Sequence, residues 1–302
     1  MKKGVFSVVL ASAVLAAASL AFAGAYGEPE KPEEIPAPPP APPAPEVVAP
    51  RIMREFTGFL TDAETTRGIW AELGSVYAAE YHPKAVGDVE AVNTYLHASF
   101  GTELFEVGLL APYVYVHQDT IGSDNDFGDL KAWAKVMPLR TENFALGGGL
   151  IFSFPTAGSG LGTDEYGFEP YLTFNAVAGP TNIRASLGYE VTTDPNNIVA
   201  DKHTGLPRNA PSDEYDYTDA NLAVLMPLTM LGGFGDQVVV RAELTHNHFM
   251  SNDADPVSIF PGADISFHVG PGELLLRPTL GIGINEAPDW QIGLGIAYNT
   301  GV

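Results

Sequence analysis

Hydrophobic and polar residues alternate along most of the chain, in segments of more than ten residues that are separated by clusters of Gly, Pro, Asn and Asp. In segment 182–192, every odd-numbered residue from Ile183 to Val191 is apolar, whereas Asn182, Arg184 and Glu190 occupy even-numbered positions. A period of two is typical of a β-strand that has one apolar face and one polar face. The pattern therefore predicts consecutive antiparallel strands.

Twelve such segments follow one another. They cover residues 69–82, 89–101, 103–117, 129–140, 144–155, 166–178, 181–193, 214–228, 236–249, 257–270, 273–286 and 290–302. Each reaches the length of about 9 to 11 residues with which a tilted strand crosses a bilayer. The even count and these lengths predict an all-β fold, a transmembrane antiparallel up-and-down β-barrel of about 12 strands. A soluble β-sandwich is the alternative.

Charge and aromatic placement favour the barrel over the sandwich. The outward faces of a sandwich need many charged residues, but only ten of the fifteen Lys and Arg residues lie beyond residue 60. Aromatic residues gather near segment ends, as the interfacial girdles of a barrel require. They include Tyr77, Tyr81, Tyr113, Tyr115, Phe152, Phe154, Tyr189, Phe267 and Tyr298. Closure is expected because unpaired backbone groups in hydrocarbon cost several kcal/mol each.

The N-terminal region has a different composition. Lys2 and Lys3 precede an apolar stretch and the sequence Ala-Phe-Ala at 21–23, which predicts a cleaved signal peptide over residues 1–23. Ten prolines between residues 28 and 50 predict an extended periplasmic tether, with a short connecting segment or plug, within residues 24–60. The barrel domain is assigned to residues 61–302. With no cysteine and a net charge of −22, the chain has no disulfide framework, and nucleic acid is not an expected partner.

Several stretches of the predicted barrel resemble one family. The stretch from Thr61 to Gly68 leads into Trp-Ala-Glu-Leu at 70–73, Phe-Gly-Asp-Leu occupies 127–130, and Phe-Pro-Thr occupies 154–156 before a glycine-rich loop. These residues resemble the outer-membrane transporters named for the MetA pathway of phenol degradation, over most of residues 61–302. The resemblance implies an outer-membrane channel or transporter for hydrophobic or aromatic compounds, without catalytic residues. The chain departs from many outer-membrane barrels by ending on Val302 instead of an aromatic residue.

Polar residues on the strands are the candidates for lining the lumen. They are Glu72, Lys131, Lys135, Glu169, Arg184, Glu190, Arg241, Glu243, His268 and Arg277, accompanied by Asp219 and Asp264. One interpretation is a charged constriction that selects ligands by field and size. The other is a packed interior in which these charges pair and stiffen a narrow barrel. Mixed signs argue against strong selectivity for ions of either charge.

Three further motifs suggest chemistry only weakly. His97 and Ser99 resemble the His-x-Ser arrangement of outer-membrane phospholipase A, but alternation turns both toward the lumen, away from lipid. His246 and His248, with Asp253 and Asp255, have ligand-type side chains for a metal but fit a solvated strand end equally. The glycines at 158–162 lack the lysine and the helix of a phosphate loop.

The sequence therefore predicts a non-enzymatic outer-membrane channel for small hydrophobic or aromatic molecules, with no cofactor and no metal. Its expected partners are outer-membrane lipid, a small-molecule solute and the barrel-assembly machinery. Loops 121–127, 157–165 and 196–216 are expected to face the outside. The alternatives are a structural or adhesive barrel with a plugged lumen that acts through its tether or outer loops, and, more remotely, a lipolytic enzyme.

Overall fold

The computed structural model describes residues 65–81, 89–118, 122–157, 165–192, 217–228, 238–249, 255–285 and 287–301. The predicted signal peptide, the tether and Val302 lie outside these residues, as do most of loop 157–165 and all of loop 196–216. Among the described residues, no helix has the length and apolar character needed to span a membrane.

Thirteen strands make up the described fold. They are β1 (Gly68–Tyr81), β2 (Val89–Gly101), β3 (Phe105–Gln118), β4 (Gly122–Phe127), β5 (Leu130–Arg140), β6 (Phe144–Phe154), β7 (Gly167–Ala178), β8 (Thr181–Thr192), β9 (Tyr217–Pro227), β10 (Val238–Phe249), β11 (Val257–Val269), β12 (Gly272–Asn285) and β13 (Trp290–Asn299). Each pairs antiparallel with its neighbour along the chain, except that β5 pairs with β3 and not with β4. Pairing of β1 with β13 closes the sheet into a barrel.

Strands β4 and β5 occupy one position in the barrel wall. Residues Phe105–Leu110 of β3 pair with β5, and residues Tyr113–Gln118 of the same strand pair with β4. The break lies at Gly128, whose N–H still donates to the carbonyl of Pro112 at 2.9 Å. The barrel therefore has the twelve strand positions that the sequence predicts. The prediction of a loop at 121–127 is wrong for Gly122–Phe127, because these polar residues continue the hairpin from β3.

The outer surface of the barrel is apolar. Alternate strand residues expose large hydrophobic side chains, such as Leu172 at 65%, Leu187 at 58% and Leu73 at 57% of their full surface. A water-soluble protein buries such residues, whereas lipid tails solvate them. The outward aromatic rings form edge-to-face or tilted pairs near both ends, among them Tyr77–Trp290, Tyr113–Phe127, Phe152–Phe168, Phe100–Phe105 and Phe144–Phe174. This band with two girdles is the exterior of a transmembrane barrel.

The two ends of the barrel differ. At one end, called here the terminus end, β1 begins, β13 ends, and short turns join β7 to β8 and β11 to β12. Gly179 and Gly270 in these turns have φ of 60° and 62°, a left-handed conformation that glycine adopts without strain. The opposite end, called the loop end, carries the two longest connections, 155–166 and 193–216, whereas the next longest, 228–237, joins β9 to β10 at the terminus end. This asymmetry is usual for outer-membrane barrels.

Candidate functional site

The interior of the barrel contains nearly all of the predicted lumen-lining residues. Those with 8% exposure or less are Glu72, Lys135, Glu169, Arg184, Glu190, Arg241, Glu243 and Arg277, together with Asp219 and Asp264. The side chain of Lys131 is 27% exposed. His268 differs from the prediction, since its side chain is 74% exposed. Alternation places it on the inward face of β11, but it lies one residue from the end of this strand, at the rim of the barrel.

An ion-pair network fills part of the interior toward the terminus end. The Nη1 atom of Arg277 lies 3.1 and 3.0 Å from the two carboxylate oxygens of Glu72, and its Nε lies 3.2 Å from Asp264 Oδ1. Glu72 also accepts hydrogen bonds from Trp70 Nε1 and Tyr95 OH, each at 3.1 Å. Arg277 is fully buried, and its guanidinium carbon lies 5.6 Å from the centroid of the Trp70 ring. The paired charges and the rings together pack this half of the interior.

Three further ion pairs lie in the same half of the interior. Arg241 Nε lies 3.4 Å from Asp264 Oδ1, and its Nη1 lies 3.5 Å from Glu243 Oε1. On the other side, Lys135 Nζ lies 3.6 Å from Glu106 Oε2, with both side chains fully buried. In this half, therefore, carboxylates and cations meet one another at close range. These buried pairs favour the packed, charge-paired interior over the charged constriction.

Inward aromatic rings lie over glycines of the neighbouring strand. A Cβ atom added to Gly74 would lie 2.2 Å from Tyr95, and one added to Gly108 would lie 2.2 Å from Trp133. The same arrangement places Tyr171 over Gly149 and Phe260 over Gly281. In the first three cases the glycine and the aromatic residue are direct partners in the strand register: Gly74↔Tyr95, Gly108↔Trp133 and Gly149↔Tyr171. Rings held against the wall in this way leave space within the barrel.

This space includes a cavity of about 240 Å³ in the half of the interior nearer the loop end. Its lining is mostly apolar and comes from β1, β2, β3, β11, β12 and β13: Val76, Ala78, Ala91, Asn93, Tyr95, Leu110, Phe260, Thr279, Gly281, Gln291 and Gly293. Tyr95 forms part of the lining and also donates to Glu72, so the cavity adjoins the ion-pair network. The alternation of polar and apolar residues does not predict this cavity. The feature that could have indicated it is the pairing of inward aromatic residues with glycines on the neighbouring strand. Recognising such pairs requires the strand register, which the sequence does not give.

Three carboxyl groups line the opposite wall of the loop-end half. They belong to Glu169 on β7, Glu190 on β8 and Asp219 on β9, and this group is called the acidic wall. The carboxyl groups of Asp219 and Glu169 lie over Gly188, and that of Glu190 lies over Gly167. Lys131 Nζ lies 3.9 Å from Glu190 Oε2, and Ser153 Oγ donates to Glu190 Oε1 at 3.0 Å. Among the residues that the structure describes, carboxylates and cations are therefore less evenly matched here than in the terminus half.

The weaker motifs are placed as follows. His97 lies between the rings of Trp70 and Trp133, with centroid distances of 6.4 and 4.9 Å. Ser99 Oγ lies 3.3 Å from Thr66 Oγ1, and both His97 and Ser99 are buried in the interior, as alternation predicts.

At the loop end, His248 Nδ1 and His246 Nε2 lie 2.6 and 3.6 Å from Asp255 Oδ1. Within the described ranges, no group of three metal-ligating residues has the geometry to hold an ion. Asp253 and residues 158–162 lie outside those ranges.

Comparisons with known proteins agree on the fold. The chain is similar to an outer membrane channel from Pseudomonas putida F1, with a TM-score of 0.58, 12% identity, and coverage of 78% of this chain and 96% of that chain. It is also similar to the β domain of the Bordetella autotransporter Brka, with a TM-score of 0.50, 15% identity, and coverage of 78% and 99%. The chain has the fold of a closed, twelve-stranded transmembrane β-barrel.

These likenesses show the fold alone, because both identities are low. One neighbour is a channel and the other belongs to an autotransporter, so the barrel by itself does not separate the two kinds of function. No family model matches the sequence, and no curated protein matches it. The resemblance to the MetA-pathway transporters therefore stays a sequence-based prediction.

Proposed function

We propose that this protein is an outer-membrane channel or transporter for small hydrophobic or aromatic molecules, exported by a cleaved signal peptide and inserted by the barrel-assembly machinery. The observation that carries the proposal is the mostly apolar cavity inside a barrel whose outer surface suits lipid. A channel for ions would need a continuous polar path, whereas this cavity is lined by side chains such as Val76, Leu110 and Phe260.

The size of the cavity fits a compound with one ring. An apolar cavity of about 150 Å³ in another protein is large enough to bind benzene, and the cavity here measures about 240 Å³. Asn93, Thr279 and Gln291 add a few polar groups to the lining, which is the usual composition of a small-molecule site. The ring of Tyr95 supplies an aromatic contact on the same wall.

The first experiment measures uptake. Vesicles that contain the purified full-length barrel should admit toluene-sized aromatic solutes faster than empty vesicles do. A variant in which Ala91 is replaced by Phe fills the cavity from the β2 side, and we expect it to slow this uptake several-fold. Ala111, on the same pair of strands with the opposite parity, offers a matched control through Ala111→Phe. A folded barrel with no effect on uptake would contradict the proposal.

A second candidate is a structural or adhesive barrel that acts through its tether or outer loops. The packed, charge-paired terminus half favours this candidate, because it narrows the interior between Glu72, Arg277 and Lys135. Deletion of residues 28–50 separates the two functions. Solute uptake should survive the deletion if the protein is a channel, whereas attachment or envelope integrity should change if the tether carries the function.

A further inference from the structure

Four side chains of the cavity lining carry polar groups, and two of them are already engaged with the ion-pair network. The hydroxyl group of Tyr95 donates to Glu72 at 3.1 Å, and the hydroxyl oxygen of Thr279 accepts a hydrogen bond from Arg241 Nη2. Both hydroxyl groups thus join the cavity to the network on its terminus side. They hold charged side chains of the network in place, so the groups that are open to a solute lie elsewhere in the lining.

The side-chain amides of Asn93 and Gln291 are the other two polar groups of the lining. Neither amide makes a hydrogen bond to any residue in the part of the chain that the structure describes. Asn93 lies on the inward face of β2 and is nevertheless exposed, and Gln291 is half-buried on β13, so both are open to the cavity. Each amide has an oxygen that accepts and an NH₂ group that donates, so each can bind a polar group of a solute.

The two amides lie on either side of β1. Asn93 of β2 pairs with Val76, and Gln291 of β13 pairs with Ala78, two residues further along the same strand. Two strand spacings and this offset place the Cα atoms of Asn93 and Gln291 about 11 Å apart along the wall. A single hydroxyl group could bind both amides only if the two side chains extended fully toward each other. A ring with polar groups at opposite positions spans the distance more easily, and the cavity of about 240 Å³ has room for it.

The lining favours neutral polar groups over charged or wholly apolar ones. None of the described residues that line the cavity carries a charge. Arg241 and Glu72, which the lining residues contact, are each paired with an opposite charge. A charged group would therefore lose its hydration without gaining a counterion, which is costly. A wholly apolar solute would displace water from both amides without replacing the hydrogen bonds.

We propose that the cavity selects neutral one-ring solutes with hydrogen-bonding groups at opposite positions of the ring, and that Asn93 and Gln291 each bind one of these groups. The ring packs against the apolar part of the lining, which includes Val76, Leu110 and Phe260. This inference rests on the proposed function and deepens it, since it names the substituents of the preferred solute. The two amides are then the specificity-determining groups of the cavity.

The test uses three para-disubstituted rings of similar shape: p-xylene, p-cresol and hydroquinone, which carry no, one and two hydroxyl groups. Their affinities for the purified full-length barrel in detergent are measured by calorimetry, and their entry is measured in vesicles containing the barrel. Asn93→Leu and Gln291→Met each remove one amide with little change in side-chain size. Each variant should lower the affinity for hydroquinone about threefold to tenfold, as expected for the loss of one neutral hydrogen bond. Neither should lower the affinity for p-xylene.

The affinity for p-cresol distinguishes two binding groups from one. Because p-cresol can turn its single hydroxyl group toward either amide, each single variant should change its affinity only slightly. The double variant Asn93→Leu and Gln291→Met should lower this affinity as much as one single variant lowers that for hydroquinone.

Two control variants separate hydrogen bonding from folding. Asn143→Leu also removes an amide, but from an exposed residue in the turn between β5 and β6 at the terminus end, and it should change none of the affinities. Asn93→Asp keeps an acceptor for a hydroxyl group, so it should retain the affinity for hydroquinone that Asn93→Leu loses.

An unchanged affinity for hydroquinone in both single variants would overturn this inference and leave the channel proposal standing. An equal loss of affinity for p-xylene and hydroquinone would also overturn it, because it would show a change in packing and not the loss of a hydrogen bond. Amide-dependent binding of hydroquinone without entry of any probe into vesicles would support the site and contradict the channel.

Discussion

Replacement of Arg277 by Met tests whether the terminus half of the interior is packed or hydrated. Arg277 is fully buried and joins Glu72 to Asp264, so its loss leaves Glu72 without this cation, while Asp264 keeps its contact with Arg241. Removing one member of a buried ion pair costs about 3–5 kcal/mol. Trp70 Nε1 and Tyr95 OH still donate to Glu72. We therefore expect the lower end of that range, a loss of about 3 kcal/mol in the free energy of unfolding.

The measurement is urea unfolding of the barrel in lipid vesicles, followed by tryptophan fluorescence and by mobility on gels without heating. Arg67→Met is the matched control, because the side chains of Arg67 and its partner Glu103 are 54% and 60% exposed, and such pairs contribute below about 1 kcal/mol. The double variant Glu72→Gln and Arg277→Met should be more stable than Arg277→Met alone, since it removes the uncompensated charge. Equal losses in Arg277→Met and Arg67→Met would refute the packed interior.

Two further predictions concern the wall of the barrel. Gly108→Ala places a Cβ 2.2 Å from Trp133, so the ring must move away from the wall. We expect a loss of about 1–3 kcal/mol in the free energy of unfolding and a changed tryptophan emission. Unchanged emission and stability would contradict the position of the Trp133 ring over Gly108. Leu172→Arg puts a charge on the lipid-facing surface, where we expect a loss of about 2–4 kcal/mol in vesicles, compared with little change for Glu142→Arg in the turn at the terminus end. Tolerance of Leu172→Arg would mean that water, and not lipid, covers this face.

The strands and their faces were predictable because alternation is a local property of the chain. Segment 182–192 is the example: β8 spans Thr181–Thr192, with Arg184 and Glu190 buried and Leu187 exposed. The local signal failed at Gly122–Phe127, where the run Ser-Asp-Asn-Asp has no apolar alternation. There the strand is held by pairing with β3, which the composition of the segment does not reveal.

The candidate site was predictable only in part. Alternation placed Glu72, Arg241 and Arg277 on polar faces, and these residues are in the interior. Alternation did not place His268 correctly, because it indicates the face of the strand on which a residue lies but not how close that residue is to the end of the barrel. It also missed Trp133 and Tyr95, whose inward rings are accommodated by glycines on the neighbouring strand.

The sequence by itself determined that the chain forms twelve membrane-crossing strand positions with an apolar exterior and a polar interior. A period of two follows from the geometry of each strand and needs no knowledge of its neighbours. Only the tertiary structure decided which interior charges meet. Glu72 and Arg277 are 205 residues apart and come together because β1 and β12 both flank β13 in the closed barrel. Strand register and closure set the height of every side chain, and that height separates the paired charges of the terminus half from the acidic wall and the cavity.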